Sequence, residues 1–428
     1  MEGSTDIGGF FGLELPEYGN FPQWSPGKSV AVNSGRRALE YILRCLGDVR
    51  RVHVPLYTCP TVLEPLEILN IPYSFYRIDE RLELERPPVL EGGECLLYTN
   101  YFGIMEKYVD RLVSRYGERL IVDNALALYS PARPGVSSAY SPRKFSGVPD
   151  GGVAVMDRPR LELKERDESF PDASFLLECA EYGLERSSAA CGRNERRLRH
   201  APLRRMSRLT ERLIGGIDYE KARIRRMDNF RFLHERLGHL NRLLLDPDSV
   251  CGPFCYPFWT AFPELRNALI DRRILIPLLW PGVWGQSPAG SLERKLAAAL
   301  LPLPVDQRCG RGEMERIARA GQAEYALPMF VNAWLEKFPW RPGTWPCGCP
   351  VARFIPVWQA CAPSVAFTAP DVYVSDFADV CEAYTAHDNP LFIPEHRQDL
   401  EHMSDALYAY GMGALCFAPF GLEDFFTP

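Results

Sequence analysis

No apolar run in this 428-residue chain is long enough to span a membrane. The opening Met1-Glu-Gly-Ser-Thr-Asp has neither the basic nor the apolar region of a secretory signal, so a cytoplasmic protein is expected. In a reducing cytosol, thirteen cysteines read as free thiols and not as a disulfide frame. Positive charge is not in excess either: the net charge is −6, which argues against a general nucleic-acid-binding surface. The hydrolase elbow Gly-x-Ser-x-Gly and the phosphate loop are both missing. Cys347-Gly-Cys349 has no second cysteine or histidine pair at zinc-site spacing and reads as loop cysteines. His396 and His402 beside Glu395 read as polar residues at a rim, so no metal is expected. Gly8-Gly-Phe-Phe-Gly12 has no strand before it and no helix after it, which excludes a dinucleotide fingerprint.

What is present is ample core material: 46% hydrophobic and 12% aromatic residues, over a length that suggests two or three domains. From 29 to about 157, short apolar strands alternate with helical patterns, as in a mostly parallel sheet covered on both faces. Arg186 to Arg226 is dense in arginine with apolar residues at helical spacing. Such a pattern fits an anion- or nucleic-acid-binding helix pair, or a solvated helical face or subunit contact. The scarcity of aromatics able to stack on bases favours the latter. Residues 250–315 return to α/β, with strands expected at Cys255–Thr260, Ile274–Trp280 and Leu301–Arg308, and helices from Glu264 and Glu313. The resulting expectation is a large domain at 1–240, a small α/β domain at 241–317 and a separate segment at 318–428.

Three stretches carry candidate chemistry. In Tyr140-Ser-Pro-Arg-Lys-Phe-Ser-Gly-Val-Pro-Asp-Gly-Gly152, Lys144 stands between a polar turn and a glycine pair. A lysine that forms a Schiff base needs a confined site, and a neighbouring cation helps. Arg143 is placed to be that cation or to hold a phosphate, and Ser141 to donate to the same phosphate. The same residues also read as an exposed Lys-Arg turn before the strand Gly152–Met156. Leu120-Ile-Val-Asp123 is an apolar strand ending in a carboxylate, which in an open α/β sheet faces the ligand crevice; Asp123 equally fits a plain turn or cap. Ser29-Val-Ala-Val-Asn-Ser34-Gly35 runs from a strand into the helical Arg36-Arg-Ala-Leu-Glu-Tyr-Ile-Leu-Arg44. Backbone N–H groups at such a start cradle phosphate, although serine is also an ordinary N-cap.

In order and spacing, these pieces resemble the DegT-type sugar-nucleotide aminotransferases, which are fold-type-I pyridoxal-phosphate (PLP) enzymes. Val54-Pro-Leu-Tyr57-Thr58, Tyr73-Ser-Phe-Tyr-Arg-Ile-Asp79 and Leu96-Leu-Tyr-Thr-Asn-Tyr-Phe-Gly103 extend the resemblance, which covers roughly residues 1–315. It implies PLP as cofactor, Lys144 as the Schiff-base lysine and Asp123 as partner of the ring nitrogen. Ser34, Gly35, Arg36 and Ser141 would lie at the phosphate. It also implies a sugar-nucleotide substrate and a homodimer. Two positions depart from the family: Leu126 stands where a Gln or His is usual, and Cys59 where an aromatic stacks on the ring. Tyr57 is the candidate substitute for that aromatic.

The remaining segment shifts to Pro, Trp, Tyr and Phe. Strands are expected at Tyr325–Trp334, Ala369–Tyr373, Pro390–Glu395 and Ala414–Phe420, separated by helical stretches, which describes half of a (β/α)₈ barrel. Phe330-Val-Asn-Ala-Trp, Ala369-Pro-Asp-Val-Tyr, Asn389-Pro-Leu-Phe-Ile-Pro-Glu and Phe417-Ala-Pro-Phe-Gly resemble strands five to eight of family 35 β-galactosidases. By that resemblance Glu395 is the nucleophile of a retaining glycosidase. The strand that carries the family's acid/base is missing, so no glycosidase activity is expected, Asp371 and Glu423 being the only nearby stand-ins. The chain thus reads as an aminotransferase-like module joined to the tail of an unrelated hydrolase.

Overall fold

The computed structural model describes residues 11–19, 21–260, 262, 265–323, 330–335, 351–362, 365–399 and 402–420. Cys347, Cys349, Glu423 and the start of the expected strand at Tyr325 lie outside these. The chain divides into two compact units, Met1–Glu324 and Tyr325–Pro428.

The first unit is mixed α/β around a large, mostly parallel sheet. In chain order its elements are β1 (Ser29–Val32), α1 (Gly35–Leu46), β2 (Arg51–Pro55), α2 (Leu63–Ile68), β3 (Tyr73–Tyr76), β4 (Glu94–Thr99), α3 (Glu106–Tyr116), β5 (Leu120–Asn124), β6 (Ser137–Tyr140) and β7 (Gly152–Val155). The sheet order is β1-β7-β6-β5-β4-β2-β3, with β7 antiparallel to both its neighbours and the rest parallel. Both faces are covered, as crossover helices require of a parallel sheet. Leu96, Tyr98, Leu120 and Val122 join one buried cluster, and Cys95, Leu97 and Ile121 another, so alternate residues of one strand feed opposite cores. That double burial is why β4 and β5 read as continuous apolar runs. β6, Ser-Ser-Ala-Tyr, carries no such signal and is a strand through its pairing with β5 and β7 alone.

After β7 come α4 (Ser174–Tyr182), α5 (Leu184–His200), α6 (Arg208–Gly215) and α7 (Tyr219–Leu237). They are followed by β8 (Cys255–Trp259), α8 (Leu265–Asp271), α9 (Val283–Gln286), α10 (Leu292–Ala299), β9 (Leu300–Pro304) and α11 (Arg311–Ala323). β8 and β9 form a two-stranded antiparallel sheet. The strand expected over Ile274–Trp280 does not form. Arg273 and Trp280 both have positive φ, and the carbonyls of Ile276 and Pro277 accept from the Arg266 guanidinium instead of from a neighbouring strand. The arginine-rich stretch is helical, but one of its members is not on a solvated face: Arg226 is 2% exposed.

The second unit holds β10 (Phe330–Trp334), α12 (Ile355–Cys361), β11 (Phe367–Val372), α13 (Phe377–Thr385), β12 (Phe392–His396), α14 (Met403–Gly411) and β13 (Cys416–Pro419). All four strands are parallel and adjacent in chain order. Ala333, Val372 and Ile393 pack against Ile355, Phe377, Cys381 and Ala409, so the helices cover one sheet face.

Candidate functional site

The three stretches that carry candidate chemistry meet at one end of the large sheet. Ser34 caps α1 from an extended backbone, its Oγ accepting from Arg37 N–H at 3.4 Å. The Ser34 peptide bridges to Gly151, whose N–H donates to the Asn33 carbonyl at 2.9 Å. Gly151 has φ +123°, a conformation side chains resist. Ser141 follows the last residue of β6, and a Cβ on Gly35 would lie 3.1 Å from Ser141 Cβ and 3.3 Å from its Oγ. The helix start, Ser34 and Ser141 therefore adjoin, and a side chain at 35 would crowd Ser141.

Asp123 stands at the C-terminal end of β5, in register with Thr99 on β4 and Ala139 on β6. It keeps some access to water but is ringed by protein. Burial pushes its carboxyl up from 3.8 to about 6, against the opposing pull of the Ala125 N–H (2.9 Å) and of the Lys144 charge. Near it lies a polar layer: Thr58 and Thr99 share a hydroxyl hydrogen bond of 2.7 Å, and Asn100 donates to Asn124 and Ser130, while Asn100 Oδ1 and Asn124 Nδ2 are buried without a hydrogen-bond partner.

Lys144 ends a short turn in which its N–H donates to the Ser141 carbonyl at 3.2 Å. Its side chain is exposed, as in the plain Lys-Arg turn reading and unlike the confined site that a Schiff-base lysine needs, and makes no hydrogen bond or ion pair among the described residues. Arg143 is paired with Glu195, and its Nε is buried without a hydrogen-bond partner. Arg36 is paired with Glu64, while Arg37 is buried between Glu40 (2.6 Å) and Glu64 (3.4 Å).

Tyr57 is fully buried, stacked on Tyr101 at 5.7 Å between ring centroids and edge-on to Trp280 at 4.7 Å. Burial raises its phenol far above the usual range, and its hydroxyl has no partner. Leu126 is buried in the same apolar cluster and offers no hydrogen bond. Cys59 is half-buried, with its Sγ 3.1 Å from Thr61 Oγ1. A cavity of about 520 Å³, lined by Leu82, Ile104, Met105, Tyr108 and Leu243 among others, contains none of the expected site residues.

Glu395 belongs to the second unit and is described there. It is the last but one residue of β12, in register with Asp371 of β11, and accepts from Tyr373 Oη at 3.2 Å. Asn332 Nδ2 donates to Asp371 at 3.0 Å. Burial foremost, and then the Glu395 charge, push the Asp371 carboxyl up to about 6. His396 is buried and faces Asp405 at 3.2 Å, an ion-pair geometry and not a metal site. Among the described residues no group of three or more His, Cys, Asp or Glu side chains is placed to hold a metal ion, and no helix is long and apolar enough to cross a membrane.

Two residues of the first site escaped sequence reasoning. Arg226 and Gln307 both touch Phe145, the residue after Lys144. Nothing local distinguishes Arg226 from the other arginines of α7, and Gln307 lies in a loop more than 160 positions away.

No protein-family model matches the chain, and no curated protein matches it in sequence. Among solved structures it is similar to S. venezuelae DesV in complex with a ketimine intermediate, at 22% identity over 70% of this chain and 85% of that one, with a TM-score of 0.48. It is similar also to the sugar aminotransferase CalS13 from Micromonospora echinospora (15% identity, 69% and 87% covered, TM-score 0.47). A third is the ntda protein of Bacillus subtilis with bound cofactor PMP (12% identity, 69% and 72% covered, TM-score 0.45).

Proposed function

We propose that residues 1–315 bind pyridoxal phosphate and transfer an amino group to or from a keto- or amino-sugar carried on a nucleotide. The observation that carries this reading is the convergence of the Ser34–Gly35–Ser141 cradle, half-buried Asp123 and Lys144 at one sheet end. The residues present fit the group: an anion cradle that a Cβ would fill, and a desolvated carboxylate with only one lysine acting on it.

The cofactor, when bound, supplies an electron sink for loss of a proton from the carbon bearing the amino group. The α1 N-terminus, Ser34 and Ser141 hold its phosphate through N–H and hydroxyl donors. Asp123 is costly to ionise where it stands, so it would favour a cationic partner such as the protonated ring nitrogen of that group. Lys144 Nζ would accept and return the proton of the substrate carbon that bears the amino group. Arg36 and Tyr57 remain candidate cofactor contacts, the first only with Glu64 as a competing partner. The homodimer rests on the sequence resemblance, and a second copy would then cover the exposed Lys144. The sugar nucleotide rests on the sequence resemblance.

Mixing the PLP-loaded protein with glutamate in a single turnover tests this. Conversion to the pyridoxamine form is the expected result, and Lys144→Ala is expected to abolish the lysine-bound chromophore. Leu126 supports a second reading, a fold that binds the cofactor without transamination; a bound but inert chromophore would favour it. For residues 325–428, four parallel strands in chain order support the half-barrel reading, with Glu395 at its rim and no glycosidase activity.

A further inference from the structure

Arg226 is a fully buried arginine that neither the cofactor cradle nor a solvated helix face explains. Taking an arginine out of water is expensive, and burial pulls its guanidinium below the ordinary range. Its donors are spent on one neighbourhood. Nη1 donates to the carbonyls of Pro253 (2.9 Å) and Phe254 (3.2 Å), and Nε donates to Gln307 Oε1 at 2.9 Å. The guanidinium carbon lies 4.6 Å from the centroid of the Phe145 ring. Gln307 Nε2 then donates to the Phe145 carbonyl at 2.8 Å. One turn further along α7, Asn229 donates to the carbonyls of Val305, Asp306 and Cys309, at 3.0–3.3 Å, and so fixes the loop that carries Gln307. Phe145 is thus gripped on its ring by Arg226 and on its carbonyl by Gln307.

The grip matters because of what Lys144 lacks. Its side chain makes no hydrogen bond or ion pair among the described residues, so where its ammonium stands relative to Asp123 depends on its backbone. The turn that carries it is closed by short-range bonds, Lys144 N–H to the Ser141 carbonyl and Phe145 N–H, Ser146 N–H and Ser146 Oγ to the Pro142 carbonyl, and Gln307 is what ties it to a distant part of the chain. We propose that Gln307, locked by Arg226, is a positioning residue that sets the Lys144 amine relative to Asp123. This rests on the reading of Lys144 and Asp123 as working partners. It ties the lysine turn to the loop between β9 and α11, far away in sequence.

The test uses the apoprotein and follows the Asp123 carboxyl by carbon-13 NMR in Gln307→Met, Lys144→Ala and the double variant. The side chains and donors acting on that carboxyl are Lys144 and the Ala125 N–H, and the lysine charge lowers its midpoint. Lys144→Ala should raise the midpoint. Gln307→Met, which keeps the length and removes both polar groups, should raise it in the same direction by a smaller amount, and should add nothing on the Lys144→Ala background. With cofactor and amino donor present, Gln307→Met should lower kcat about tenfold or more while KM stays within about twofold, as misplacement of a reacting group does. An unchanged midpoint in Gln307→Met, or a shift that persists at full size without Lys144, overturns the proposal. If Lys144→Ala itself leaves Asp123 unmoved, the partnership of the two residues fails, and the single lysine variant shows this independently of Gln307. Should Gln307→Met lose its fold by circular dichroism, Gln307→Asn is read the same way.

Discussion

Gly152 lies against the Ser34 peptide: a Cβ on residue 152 would fall 2.1 Å from the Ser34 carbonyl oxygen and 2.7 Å from Gly35 nitrogen. The obstructing atoms are backbone atoms at the start of α1, so no rotamer change relieves the collision. Gly152→Ala should therefore push β7 and the α1 N-terminus apart and cost on the order of 4 kcal/mol or more, the range reserved for severe steric defects. Urea unfolding measures it, and a wild-type midpoint for Gly152→Ala would show that the two segments are not in contact.

Asp123 makes the apoprotein less stable at neutral pH than it need be. Its folded pKa is raised, so the folded state holds a proton that the unfolded chain has released between 3.8 and about 6. Stability falls as pH rises through that window, and above it the full cost applies: about 3 kcal/mol for a shift of roughly two units. Asp123→Asn should then stabilise the cofactor-free protein at pH 7 by up to that amount, with the gain shrinking towards zero as pH approaches 4. Denaturant titrations at the two pH values check the sign. The same variant should bind pyridoxal phosphate poorly, because an amide cannot balance a cationic ring nitrogen.

Asp150 holds α6 to the glycine turn. Buried, it accepts from Ser207 N–H at 2.9 Å, from Ser207 Oγ at 2.6 Å and from Thr210 Oγ1. Asp150→Ala strands these donors in the interior and should cost about 3 kcal/mol, the range for a broken buried charged network. Thermal unfolding measures the loss. Thr210→Val, which removes one donor together with its need, should cost less.

The parts of this site that were legible in the sequence are those whose signal is local. Leu120–Asp123 reads as a buried strand because both its faces are covered, and Ser34-Gly35 reads as a helix start because the capping serine and the apolar period adjoin. β6 was not legible: two serines in four residues carry no strand propensity, and only pairing on both sides makes a strand of them. Ile274–Trp280 was over-read for the opposite reason. Its apolar content fits a strand, but β8 already pairs with β9, and Arg266 takes its carbonyls. The grip of Arg226 and Gln307 on Phe145 joins positions 145, 226 and 307, and no single-sequence pattern spans such distances. The confinement expected of Lys144 was an inference from chemistry, and in this chain its side chain is open.

The tail yields the last prediction, which turns on Asp371 and Glu395. A retaining glycosidase needs two carboxyl groups about 5 Å apart on either side of the bond to be cleaved, one attacking and one protonating the leaving oxygen. Asp371 has one attribute of such an acid, since its pKa is raised to about 6. Its place is wrong, however. It is the register partner of Glu395 on the adjacent parallel strand, so the two backbones run roughly 4.8 Å apart and the carboxyls stand side by side on neighbouring rungs. By the family resemblance the acid/base stands on the fourth strand of the barrel, whereas Asp371 stands on the strand next to that of the nucleophile. General acid catalysis, typically worth about 10²–10⁴-fold, is lost in that arrangement. The full chain should therefore show no turnover of a nitrophenyl galactoside. The pair should still be visible by titration: Glu395→Gln removes the charge that helps raise Asp371, so the Asp371 midpoint should fall. Turnover that Glu395→Gln abolishes would overturn this reading, and an Asp371 midpoint indifferent to Glu395→Gln would show that the two carboxyls do not face each other.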